Sequence, residues 1–179
     1  MIFSKTKFEG VFVIELEPIK DERGFFARSW DTKIFQEKNL NSAIVQCNIS
    51  ISNKKGTLRG MHYQTSPYAE VKIIRCTQGS LYDVIIDLRP NSKTFKKWFG
   101  IELNPENHKS LYVPEGFAHG HQTLKDETEL FYQVSQVYMP KYEGGVRWND
   151  PNFQIKWPIK DPIISEKDSS WKDFQMDKT

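Results

Sequence analysis

Apolar and polar residues alternate with period two through much of this chain, in short runs separated by turn residues. Such alternation places one face of a strand in a core and the other in solvent. Val11–Leu16 reads this way, and Pro18–Gly24 breaks it. Ala43–Ser52 (AIVQCNISIS) alternates most regularly, and Val71–Cys76, Leu81–Leu88, Trp98–Leu103, Ser110–Val113 and Glu129–Tyr138 are further predicted strands. Turn signals fall at Gly79, Pro90-Asn91-Ser92, Asn104-Pro105 and Gly144-Gly145. One short helix is predicted over Thr32–Lys38, with Asp31 as its N-cap. Many short strands between turns predict an all-β sandwich or barrel. The Pro-rich, aromatic stretch Trp148–Pro162 reads as an irregular wrap over that body. With no internal repeat or linker, residues 1–179 are expected to form one domain.

Composition narrows the function. A chain of 179 residues with 38% hydrophobic content can bury a core of its own. Basic and acidic residues nearly cancel, 25 against 23, and no long run of one sign occurs, so nucleic acid is not expected as a partner. No apolar run reaches the ~20 residues of a membrane helix. The start, MIFSKTKFEG, lacks the apolar segment of a signal peptide, so a cytoplasmic protein is expected. Cys47 and Cys76 are expected to be reduced, buried thiols.

The chemistry concentrates in two stretches. Gly56–Gln64 (GTLRGMHYQ) carries Arg59 and His62, and Pro114–His121 (PEGFAHGH) carries His119 and His121. The pattern Pro114-x-Gly116-x-x-His119 resembles the second signature of the cupins. Their first signature has His-x-His, and here Gln64 stands where the second histidine would be, while Glu70 comes later than the usual carboxylate ligand. His62, Gln64 and His119 make an incomplete ligand set. On a strand, His121 would share the face of His119 with no matching partner. A metal-free site is the expectation.

A fuller resemblance runs from about residue 5 to residue 172. Its pieces are Asp21–Phe26 (DERGFF), Gln46-Cys47-Asn48, Gly56–Gln64, Asp83 through Asp87-Leu88-Arg89, Pro114–Gly120, Tyr132, Tyr138, Trp148–Pro151 and Ile164–Asp168. In order and spacing these are similar to the dTDP-4-dehydrorhamnose 3,5-epimerases. The resemblance implies a cupin-type jelly roll with short peripheral helices. It further implies a cofactor-independent homodimer that epimerises a nucleoside-diphosphate 4-keto-6-deoxy sugar in deoxysugar and polysaccharide synthesis.

The resemblance also implies residue roles. His62 is the base, suited by a histidine's ordinary pKa near 6.5. Asp168 orients its ring, Tyr132 is the proton donor on the opposite face, and Lys72 sits by the ketone oxygen, where an enolate charge develops. Arg23, Arg28, Gln46, Asn48, Arg59, His119, Tyr138, Glu143 and Lys167 fall at substrate-binding positions, with Tyr138 stacking on the base. The pattern is broken at Arg28, where the family commonly has a glutamate. A donor replaces an acceptor there, which implies another base or a repositioned diphosphate. Inversion at C3 and C5 is the reading favoured by the presence of base, orienter and donor. Epimerisation at one centre, ketoisomerisation, a CDP- or GDP-linked substrate and silent binding are the alternatives.

Overall fold

The computed structural model describes residues 1–175; residues 176–179 of the expected single domain lie outside them. The chain opens with β1 (Ile2–Lys5), β2 (Phe12–Glu15) and a short hairpin of β3 (Ile19–Asp21) and β4 (Gly24–Phe26). Helix α1 (Thr32–Glu37) follows, then β5 (Gln46–Ser52), β6 (Thr57–Gln64), β7 (Lys72–Gln78) and β8 (Leu81–Asp87). Next come β9 (Trp98–Leu103), β10 (Lys109–Val113), β11 (Phe117–Thr123) and β12 (Thr128–Val134). The chain then forms β13 (Glu143–Gly145), β14 (Ile163–Ile164) and the short helix α2 (Glu166–Ser169).

One sheet runs β1-β2-β10-β7-β12-β5 and the other β13-β6-β11-β8-β9, with β14 added beside β6. From β5 to β12 the chain passes back and forth between them, which is the jelly-roll arrangement of an all-β cupin-like fold. Ile74, Leu111 and Leu130 of the first sheet meet Leu81, Ile85, Leu103 and Phe117 of the second, forming the core at one end of the sandwich. Each such side chain contributes about 1.5–3 kcal/mol through burial. The other end is left open as a cleft. On the outer face of the second sheet, Met61, Val84, Ile86 and Ala118 are covered by Val146, Phe153 and Trp157. The stretch Trp148–Pro162 does wrap the body, and Trp157 Nε1 donates to the Trp148 carbonyl at 2.8 Å.

Asp31 caps α1 as expected, accepting from the Lys33 and Ile34 amides at 3.0 and 3.4 Å. Gly144-Gly145 departs from expectation. It is a strand paired with β6, with Gly144 opposite Tyr63 and Gly145 opposite His62. The Tyr63 and Trp171 rings fill the space their Cβ atoms would need, so these glycines serve close packing rather than a turn. The predicted break at Pro18–Gly24 holds the exposed β3–β4 hairpin. Cys76 is buried, and burial pushes its thiol up to about 11, but Cys47 is exposed on the edge strand β5, contrary to expectation.

Candidate active site

The two histidine-bearing stretches are themselves neighbouring strands. β6 pairs with β11, with His62 opposite His119 and Arg59 opposite His121. Three residue steps on β6 therefore match two on β11, which is a β-bulge. An unbroken strand would send Arg59 and His62 to opposite faces. The bulge turns both into the cleft, while Met61 between them is fully buried on the outer side. Gly60 makes this possible: its φ is +139°, and a Cβ there would lie 2.6 Å from Gly120 Cα.

His62 Nε2 lies 2.7 Å from Asp168 Oδ1. A carboxylate only accepts, so Nε2 carries the hydrogen and Nδ1 keeps the lone pair that a base needs. Asp168 reaches this point from α2, whose cap Ser165 accepts from the Asp168 amide at 3.1 Å, and the Gly60 amide donates to its other oxygen at 3.2 Å. Burial pushes the Asp168 carboxyl up, but the bond and charge of His62, the Gly60 N–H and Lys167 outweigh it and hold it below the usual range. Trp171 closes one side, its ring edge-on to His62 at 6.3 Å between centroids.

The facing wall comes from the first sheet. Tyr132 on β12 and Lys72 on β7 line the cleft together with His62, and these three side chains border both of its chambers, of about 380 and 330 Å³. Burial, and secondarily Glu70, push the Tyr132 phenol above its ordinary value, so it stays protonated. Lys72 Nζ pairs with Glu70 at 3.1 Å, both nearly buried. The first chamber adds Gln46, Asn48, Tyr138 and Glu143, and the second adds Arg59, His119, Lys167 and Asp168. Glu143 accepts from Lys167 at 2.7 and 2.8 Å and from the Tyr138 hydroxyl at 3.0 Å. Burial and the Glu143 bond raise the Tyr138 phenol; Lys167, bonded to Glu143, is raised as well.

Two expected binding residues lie elsewhere. Arg23, with 84% of its side chain exposed, pairs with Asp21 in the β3–β4 hairpin, and Arg28 reaches Asp31 at 3.3 Å. Neither lines the cleft of its own chain, so the charge reversal at Arg28 does not fall inside that cavity. Gln64, at the position of the second cupin histidine, has its amide engaged throughout. It donates to the Tyr68 and Val137 carbonyls and to Glu70 at 3.0–3.1 Å and accepts from the Met139 amide at 2.6 Å.

The expectation that His121 has no partner on its face is corrected. Asp83 on β8 stands opposite it in register and bonds His119 Nε2 at 2.7 Å. Asp83 was the residue hardest to find from sequence as part of a site. Its signal was an acid at a core-facing position of the run Leu81–Asp87.

Transfer of a proton between the two walls is the chemistry this cleft can perform, and it defines the class: an isomerase, an epimerase on a jelly-roll scaffold. A family model described as dTDP-4-dehydrorhamnose 3,5-epimerase matches residues 5–176, and the chain belongs to that family. The enzyme of that name from Shigella flexneri is 43% identical over 171 residues, covering 95% of this chain and 94% of its own. The Bacillus anthracis enzyme, solved with TDP and PPi bound, superposes with a TM-score of 0.94 at 40% identity, covering 97% of this chain and 99% of that one. The Legionella pneumophila enzyme, in complex with dTDP-4-keto-L-rhamnose, gives 0.90 at 34% identity over 96% and 92% of the two chains. Epimerisation at C3 and C5 in dTDP-rhamnose synthesis is the activity this membership carries.

Proposed function

We propose that His62 and Tyr132 carry out this epimerisation on a dTDP-linked 4-keto-6-deoxy sugar held between the two walls. His62 Nδ1 removes the proton on the carbon next to the ketone, and the bond's electron pair moves into an enolate whose oxygen faces Lys72. Asp168 holds the imidazolium that forms. Tyr132 then gives its phenolic proton to the opposite face of the carbon and becomes a phenolate. Exchange with solvent returns a proton to Tyr132 and removes one from His62. Repeating the cycle at the second carbon inverts both centres. A positioned cation such as Lys72 is worth ~3–4 kcal/mol to a developing oxyanion in other enzymes.

The observation that carries this reading is the placement of His62 and Tyr132 on opposite sheets, bordering the same cleft. Around them, Tyr138, Gln46, Asn48 and Glu143 receive the nucleotide, Arg59 and Lys167 face the diphosphate, and His119 contacts the sugar. Arg23 and Arg28 complete the site from a second copy of the chain. Ile19, Phe25 and Phe26 of the hairpin and Ile49 and Ile51 of the edge strand β5 are exposed, and a homodimer would cover them. The enzyme works in the cytoplasm, without a cofactor.

The test is incubation with dTDP-4-keto-6-deoxyglucose in heavy water, followed by mass spectrometry. Two deuterons taken up per sugar are expected. One deuteron would replace the reading by a single-centre epimerase, and uptake only with a CDP- or GDP-linked sugar would overturn the choice of nucleotide.

A further inference from the structure

Strand β8 presents two aspartates to the interior of the sandwich, both fully buried. Asp87 is saturated: it accepts from Arg89 Nε and Nη2 at 2.9 and 2.8 Å, from Ser92 Oγ at 2.6 Å and from Thr94 Oγ1 at 2.7 Å. Among the described residues, Asp83 has the His119 bond alone at Oδ1, and its Oδ2 is buried without a partner. A buried, unpaired carboxylate oxygen is costly and calls for an explanation. Beside it stands His121, only 5% exposed, its ring stacked on that of His119 at 6.3 Å between centroids. One ligand atom from each of Asp83, His119 and His121 lies within 4.8 Å of the other two. His119 and His121 border the second chamber of the cleft, so an ion has an entry path.

We propose that Asp83, His119 and His121 bind one divalent ion of the zinc, cobalt or nickel type, and that this ion inhibits the epimerase. Two imidazoles and a carboxylate are a matched donor set for these metals, and three protein ligands leave a position open toward the cleft. The Nε2 hydrogen that His119 shares with Asp83 leaves to solvent while Nδ1 takes one up, so the ring stays neutral, its Nε2 lone pair takes the ion, and Asp83 Oδ2 gains the partner it lacks. Arg59 and Lys72 line the same chamber and oppose another cation, so the site fills when metal is in excess. Inhibition follows because His119 is withdrawn from the sugar and because a divalent charge disfavours the proton that His62 must accept. Only this inhibitory consequence rests on the proposed function; occupancy of the site does not.

The test is titration of the metal-free enzyme with Co²⁺, read by visible absorption and by calorimetry. One ion per chain and loss of turnover with the same midpoint are expected. His121→Asn should weaken both binding and inhibition by at least about tenfold. Asp83→Asn, checked for folding by circular dichroism, should do the same and serves if the first variant does not fold. Absence of cobalt bands up to millimolar metal overturns the site. So does unaltered binding in both variants, which would place the ion elsewhere, for instance at the exposed Cys47. Binding with full turnover retained overturns the inhibitory role. Binding in a protein that never turns over sugar supports the site and refutes the epimerase reading instead.

Discussion

His62 and His119 stand opposite each other in register on neighbouring strands, and each gives its Nε2 to a carboxylate at 2.7 Å, Asp168 and Asp83. For His62, the proposed base, this fixes which nitrogen keeps a lone pair. Asp168→Asn places an amide where the carboxylate was, and the amide's NH₂ can donate to Nε2. That favours the tautomer with hydrogen on Nδ1, the wrong one for abstraction. We expect kcat to fall by roughly four orders of magnitude with KM nearly unchanged, as for the orienting aspartate of a serine-protease triad. Steady-state kinetics checks this, and an unchanged kcat would remove Asp168 from the mechanism.

Tyr132 differs from His62 in what its loss should leave behind. Tyr132→Phe keeps the base but removes the donor on the far face, so solvent deuterium should still enter the sugar while inversion is lost. Product analysis by NMR separates the two outcomes. Inversion at the wild-type rate would show that another group supplies the proton. The raised phenol sets a pH expectation as well. A donor fails when it ionises, and burial moves that point above the ordinary value of about 10. The alkaline limb of kcat should therefore lie above pH 10, and a limb near 8 would contradict a buried tyrosine donor.

Gly60 is where the strand geometry becomes chemistry. Gly60→Ala would force a side chain into a φ of +139° and against the Gly120 backbone at 2.6 Å. Strain and overpacking together should cost roughly 3 kcal/mol of stability. Loss of the bulge would also turn Arg59 or His62 out of the cleft and separate the Gly60 amide from Asp168. Urea unfolding and turnover should therefore fall together. A stable variant with wild-type activity would mean that the bulge does not depend on glycine here.

The period-two runs made the strand-rich body legible where a strand buries one face more than the other, as in Gln46–Ser52 inside the run Ala43–Ser52, where half-buried and exposed positions alternate. The alternation is silent where both faces are buried. Phe117–Thr123 is buried at every position, and so its strand character shows only in its pairing. Gly144-Gly145 misled for another reason: a glycine needed for close approach and one needed for a turn look alike in a sequence. Site residues were legible through the resemblance more than through spacing. Tyr132 shares a strand with core-packed Leu130, and Asp168 sits near a chain end, about a hundred residues from the histidine it serves. Asp83 was obscured because its partners come from the strand across the sheet.

Arg23 lies away from the cleft of its own chain, so its contribution depends on assembly. Its side chain is 84% exposed and held by Asp21, so in an isolated chain Arg23→Ala should change little at the site. If a second copy supplies it, Arg23→Ala should raise KM and spare the fold, while His62→Ala should abolish turnover. Mixing the two inactive or weakened variants then becomes informative. In a mixed dimer, one cleft has an intact His62 from its own chain and an intact Arg23 from the other; the opposite cleft has neither. With random exchange of subunits, half the dimers are mixed, and about a quarter of the clefts in the sample should regain wild-type KM. Unfolding and refolding the variants together, then measuring turnover at low substrate, reads this directly. No gain above the sum of the separate variants would mean that Arg23 serves its own chain or none, and the site would then have to be complete within one copy.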